Sequence, residues 1–116
     1  MASIEDLMWT NLLEVFGERD PDRRAAAIAR TYASDVVFAD PEESLTGHEA
    51  LRAKAQSLLD QAPGFVFAAD GAVHVVDDLG HLSWTFGPDG GEPVVRGTDI
   101  ALVRDGVIAR LYTFLR

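Results

Sequence analysis

Residues 32–59, YASDVVFADPEESLTGHEALRAKAQSLL, decide the fold, because an apolar strand ends there in an acid and hands over to a helix. Val36, Val37 and Phe38 are β-branched or aromatic, so a short buried strand is predicted over residues 36–39. Pro41 cannot donate to a ladder and marks its end, which puts Asp40 at the rim of a core. Glu42, Glu43 and Ser44 read as a loop, and Thr46-Gly47-His48-Glu49 has the hydroxyl-x-x-acid form of a capping box. The helix it opens is predicted to run to about Gln61, since Pro63-Gly64 forbids continuation. Leu51, Ala55, Leu58 and Leu59 form its inward face, and Arg52, Lys54 and Gln56 a solvated side.

Upstream, Ile4, Leu7, Met8, Leu12, Val15 and Phe16 recur at helical spacing, and Ser3 with Asp6 offers a hydroxyl and a carboxylate to orphan N–H groups. A first helix is therefore predicted over residues 3–16, closed by Gly17. Asp20-Pro21 opens a second, with an N-cap acid and proline at the first position, and its buried stripe reads as Ala25, Ile28, Ala29 and Tyr32. Asn11 falls on or beside the apolar face of the first helix. It is either an amide at the stripe's edge facing water or a donor lining a pocket.

The 116 residues are 47% hydrophobic and 25% charged, enough to bury one core and too few for a second, so a single domain over residues 1–116 is expected. Asp plus Glu number 19 against 10 Lys plus Arg, and the formal net charge of -9 opposes phosphate backbones; nucleic acid is not an expected partner. The absence of cysteine excludes disulfides and thiolate chemistry and points to the cytoplasm. Glu5 and Asp6 stand where a secretory signal carries positive charge, and no apolar run approaches the ~18 residues of a membrane span, so no membrane association is expected.

Downstream of Pro63-Gly64 the chain is β-rich at residues 65–69, 73–76, 82–86, 94–103 and 107–115, and Asp105-Gly106 is a tight-hairpin signal. Helices followed by antiparallel strands imply an α+β fold in which a curved sheet wraps three N-terminal helices. Side chains alternate across a strand, so Val95, Gly97, Asp99, Ala101 and Val103 share a face from which Arg96 is excluded. Asp99 thus lies among small apolar groups with no cation on its face, and burial raises the pKa of such a carboxyl. Asp40 shares its face with Val36 and Phe38. Two acids in unequal apolar environments can divide labour as base and neutral hydrogen-bond donor. Each also has a structural reading, Asp40 as acceptor of turn N–H groups and Asp99 as partner of Arg96 or Arg110. His48, His74 and His81 lack the close spacing of metal ligands, so neither metal nor cofactor is expected. Leu82, Trp84 and Phe86 make a further apolar face, read either as core or as the outer surface of a homodimer.

The order of elements, Asp40-Pro41 after a strand introduced by Tyr32-Ala33-Ser34-Asp35, the helix start Gly47-His48-Glu49-Ala50-Leu51, and the ending Gly97-Thr98-Asp99, Arg104-Asp105-Gly106-Val107-Ile108, Tyr112 and Phe114 resemble the nuclear transport factor two-like superfamily. Within it the chain is most similar to SnoaL-like domains and, more distantly, to ketosteroid isomerase. The resemblance covers nearly the whole chain. It implies a cone-shaped α+β barrel around an apolar pocket, commonly dimeric through the sheet. It also implies a base at Asp40 and a protonated hydrogen-bond donor at Asp99. Where the isomerase carries a tyrosine on the first helix, this chain has Trp9, Asn11 and Leu12. The implied activity is proton transfer on a small apolar carbonyl compound, as an isomerase or cyclase. The pocket-lining candidates are Trp9, Asn11, Phe38, Val95, Tyr112 and Phe114. The alternative is a non-catalytic binder of a small hydrophobic molecule, or a dimeric scaffold.

Overall fold

The computed structural model describes residues 2–116. Helix α1 (Ile4–Thr10) begins at a capping box, with Ser3 Oγ accepting from the Asp6 N–H and the Asp6 carboxylate accepting from the Ser3 N–H. It runs without a break into a π-helical segment (Asn11–Phe16), which ends where the Gly17 N–H donates to the Leu12 carbonyl at 2.9 Å. The first predicted helix keeps its length, but its second half is wound more widely.

Helix α2 (Pro21–Thr31) is capped by Asp20, which accepts from the Asp22 and Arg23 N–H groups. Its buried side is Arg24, Ala27, Ile28 and Thr31, one residue out of phase with the expected stripe, so Ala25 and Ala29 face solvent. Arg24 decides the phase. Its guanidinium donates to the Glu18 carbonyl at 3.0 and 2.8 Å and to Gln56 Oε1 at 2.6 Å, so each nitrogen of the buried charge has an acceptor.

Helix α3 (His48–Asp60) does not use the predicted capping box. Thr46 belongs instead to the short strand β2 (Ser44–Thr46), Gly47 occupies the N-cap position, and Glu49 pairs with Arg52. His48 Nε2 lies 2.9 Å and 3.0 Å from the carbonyls of Tyr32 and Ala33, and since both are acceptors this nitrogen carries the proton. At the other end Arg19 donates to the carbonyls of Leu59, Ala62 and Phe65, holding the end of α3 to the start of β3.

Strands β1 (Tyr32–Ala39), β2, β3 (Phe65–Ala69), β4 (His74–Val76), β5 (Leu79–Pro88), β6 (Val95–Arg104) and β7 (Val107–Leu115) form one 7-stranded sheet in the order β2-β1-β7-β6-β5-β3, with β4 also paired to β5. The sheet is mixed, not wholly antiparallel as expected, because β1 runs parallel to β7. That pairing joins strands separated by α3 and most of the sheet, a connection long enough to cross over. The β6–β7 turn has Asp105 and Gly106 at φ 55° and 80°, the hairpin geometry the sequence predicts. Register shifts in β1 against β7 and in β6 against β7 help the sheet to curve.

The concave face packs on the helices, with Met8, Val15, Ala55, Ala101, Ile108 and Leu111 fully enclosed. Leu82, Trp84 and Phe86 belong to this face, not to an outer one. They lie opposite Asp99, Gly97 and Val95 on β6, and cross-strand partners share a face. Among the described residues no helix is long and apolar enough to cross a membrane.

Gly97 is the closest approach in this face, since a Cβ there would lie 2.2 Å from Trp84 Cζ2. Gly97→Ala is expected to push the indole aside and destabilise the protein by about 1–3 kcal/mol. Urea unfolding followed by tryptophan emission checks this, and an unchanged midpoint contradicts it.

Candidate active site

A cavity of about 340 Å³ opens between the concave sheet, the π-helical segment and α3. Phe16, Phe38, Phe65, Phe67, Trp84 and Phe86 form much of its wall. Phe67 stacks on Phe86 with centroids 4.2 Å apart and meets Trp84 edge-on at 5.3 Å, which fixes these rings as a rigid apolar surface. Polar groups enter at two places, around Asp99 and around Asp40 with Lys54.

Asp99, only 5% exposed, sits on β6 beneath α1 and the π-helical segment. Its Oδ1 accepts from Trp84 Nε1 at 3.0 Å and Thr113 Oγ1 at 2.7 Å, and its Oδ2 accepts from Asn11 Nδ2 at 2.8 Å. The Asn11 amide is locked in this sense because the buried Tyr32 hydroxyl donates to its Oδ1. Burial and then the Asp99 carboxyl push the Tyr32 phenol well up, so it remains a donor. Burial likewise raises the Asp99 pKa, and the three donors only partly offset it. A carboxylate has about four lone-pair sites. Oδ1 holds two donors and Oδ2 one, so Oδ2 keeps the greater free lone-pair capacity. The alternative pairing of Asp99 with Arg96 or Arg110 does not form.

Asp40 follows β1 and closes a turn, its Oδ1 accepting from the Glu42 and Glu43 N–H groups at 2.9 and 3.0 Å. Its Oδ2 lies 2.9 Å from Lys54 Nζ, which also reaches Glu43 Oε2 at 2.8 Å. Burial pushes the Asp40 pKa up, but Lys54 and the two backbone N–H groups outweigh it and hold the carboxyl below its usual range. Lys54 behaves in mirror image. Its partial burial disfavours the charge, yet Glu43 and Asp40 raise its pKa, so it stays an ammonium.

Asp40, Asp99, Phe38 and Val95 line one cavity. Asn11 is wholly buried behind Asp99 and does not line it; Trp9 packs against the core cluster instead. Tyr112 and Phe114 lie on the convex face, because Leu111, Thr113 and Leu115 take the inward positions of β7, and the Tyr112 hydroxyl accepts from Arg110. Lys54, Thr113 and the aromatic wall of β3 and β5 also line the cavity, and the sequence pattern does not single them out as pocket residues. For Thr113 and Trp84 the alternation of β7 and β5 carried a signal, but Lys54 sits at a helical position that reads as solvated. Among the described residues no group of three or more His, Asp or Glu side chains could hold a metal ion.

The SnoaL-like domain family matches the sequence over residues 9–111. No curated protein matches it. Among solved structures the chain is similar to a candidate isomerase of the SnoaL-like family from Agrobacterium tumefaciens, with a TM-score of 0.88 and 23% identity over 95% of this chain and 94% of that one. A candidate polyketide cyclase from Sinorhizobium meliloti gives 0.71 and 23% over 93% of each chain. A candidate ketosteroid isomerase from Kribbella flavida gives 0.73 and 20% over 97% of this chain and 76% of that one. At such identities the likeness is one of fold.

The partners of Asp99 alter what an amide would do in its place. Asp99→Asn sets its own amide N–H₂ against that of Asn11, which Tyr32 prevents from turning, so this variant is expected to lose about 1–3 kcal/mol and not to gain stability at neutral pH as burial alone would suggest. The sign of the pH effect follows from the raised folded-state pKa. The stability that Asp99 contributes is full below its unfolded pKa and declines as pH rises through the folded one. The penalty of Asp99→Asn relative to the native chain should therefore be largest in acid and shrink as pH rises. Urea titrations of both proteins across that range check it, and a penalty that grows with pH contradicts it.

Proposed function

The chain belongs to the SnoaL-like domain family, and from that premise we propose that its cavity holds a small apolar carbonyl compound and moves a proton on it, as an isomerase or cyclase does. The observation that carries this reading is that two carboxyls of opposite disposition, Asp40 held ionised and Asp99 raised by burial, line one aromatic-walled cavity. Asp40 takes a proton from the carbon next to the carbonyl, and its C–H electron pair moves into an enolate. Asp99, in its protonated form, donates a hydrogen bond to the enolate oxygen where the charge develops. Where a C=C is conjugated with the enolate, return of the proton from Asp40 to its far carbon completes an isomerisation; attack of the enolate carbon on a second carbonyl of the same molecule, with the Asp40 proton passing to the alkoxide so formed, completes a ring closure.

Residence in the cytoplasm belongs to the same proposal, as does a homodimer through the convex sheet face. Phe114 is 57% exposed and Val66 43% exposed on that face, beside the half-buried Tyr112 and Ile100. The alternative, a binder without turnover, is favoured by one feature: the hydrogen bonds from Lys54 and two backbone N–H groups make Asp40 a weaker base.

The ring opening of 5-nitrobenzisoxazole, which needs only one proton removed from carbon, separates the readings. The native protein is expected to accelerate it, and Asp40→Asn to reduce the rate by about 10²–10⁴ while still binding the compound. No acceleration by the native protein, or an undiminished rate in Asp40→Asn, refutes the catalytic reading. For the dimer, Phe114→Asp is expected to sediment as a monomer where the native chain sediments as a dimer; a native monomer at micromolar concentration overturns it.

A further inference from the structure

A lysine in the wall of an apolar cavity ordinarily captures an anionic ligand, and this cavity has one. Lys54 has a side chain only 10% exposed and is already engaged on both sides, by Asp40 Oδ2 at 2.9 Å and Glu43 Oε2 at 2.8 Å. Among the described residues no other Lys or Arg lines the cavity, whereas Asp40, Glu42 and Asp99 do. A carboxylate or phosphate entering it meets up to three acids against one cation whose charge is spent. The ammonium has three N–H groups and two are used, so it retains one for an uncharged acceptor.

We propose that the cavity selects uncharged ligands, compact apolar molecules carrying a neutral hydrogen-bond acceptor such as a ketone or aldehyde, and that Glu43, which lies outside the cavity wall, sets this selectivity by neutralising Lys54. The inference rests on reading the cavity as a small-molecule site and deepens that reading, but it does not require turnover. With Glu43 as second partner, Lys54 cannot serve as an anion hook even when Asp40 turns toward a ligand. A cationic ligand is disfavoured from the other side, since the Lys54 ammonium stands in the same wall, Asp40 and Asp99 are already occupied by hydrogen-bond donors, and Glu42 is exposed, where solvent screens its charge. The volume of about 340 Å³ lies at the small end for ligand pockets and suits a one- or two-ring compound.

Three probes of one shape test this, titrated by calorimetry at about pH 7.5, where the acid and the amine are both charged: 2-acetylnaphthalene, 2-naphthoate and 2-naphthylmethylammonium. The ketone is expected to bind at least about tenfold more tightly than either ion. Glu43→Gln keeps an acceptor for Lys54 but removes the charge, and should improve naphthoate binding about tenfold with the ketone unchanged. Naphthoate or the ammonium binding as tightly as the ketone overturns the proposal, as does a Glu43→Gln variant with the native preference, or binding of none of the three. A protein that binds the ketone selectively yet fails to open 5-nitrobenzisoxazole would retain this inference and lose the catalytic one.

Discussion

The carboxyl of Asp99 is the constraint around which the rest of the structure is arranged. A buried acid with no cation in contact costs several kcal/mol unless hydrogen bonds replace its water. Here they come from three separate parts of the chain, Asn11 at the head of the π-helical segment, Trp84 on β5 and Thr113 on β7. Each donor imposes a further condition. Asn11 must point its amide nitrogen inward, which Tyr32 enforces from the junction of α2 and β1. Trp84 must lie flat across β6, which needs a residue without a side chain at Gly97. One acid thus fixes the relation of the first helix to three strands.

The other end of the cavity follows different physics. Asp40 is satisfied locally, by N–H groups two and three residues ahead and by one lysine, and the loop it closes is a self-contained turn. Neutral donors leave Asp99 raised, whereas a cation and backbone donors hold Asp40 lowered, so the two carboxyls diverge in basicity although they face one space. The apolar wall between them lowers the local dielectric, which makes both sets of interactions stronger than they would be at the surface.

Two arginines brace the elements around that space. Arg19 binds three carbonyls where α3 ends and β3 begins, and Arg24 ties α2 to the Glu18 carbonyl and to Gln56 of α3. Guanidinium groups, whose planar forks suit several acceptors at once, thus tie α2 to α3 and the end of α3 to the start of β3.

Much of this was determined by the sequence alone. Helix starts at Ser3 and Asp20, the hairpin at Asp105-Gly106, the α+β order and the inward position of Asp99 all depend on local capping, on turn chemistry or on the two-residue period of a strand, and such properties are written in neighbouring residues. Tertiary structure decided what depends on phase or on distant partners. Two alanines hid the true stripe of α2, because they are as compatible with solvent as with a core, and only the acceptors offered to Arg24 chose between them. The relative phase of β5 and β6 put Leu82, Trp84 and Phe86 inward, and register between strands is a pairing property that no single strand contains. Lys54 joined the site for the same reason: a polar helical position reads as solvated until a loop from elsewhere in the chain, here Asp40 to Glu43, is laid against it.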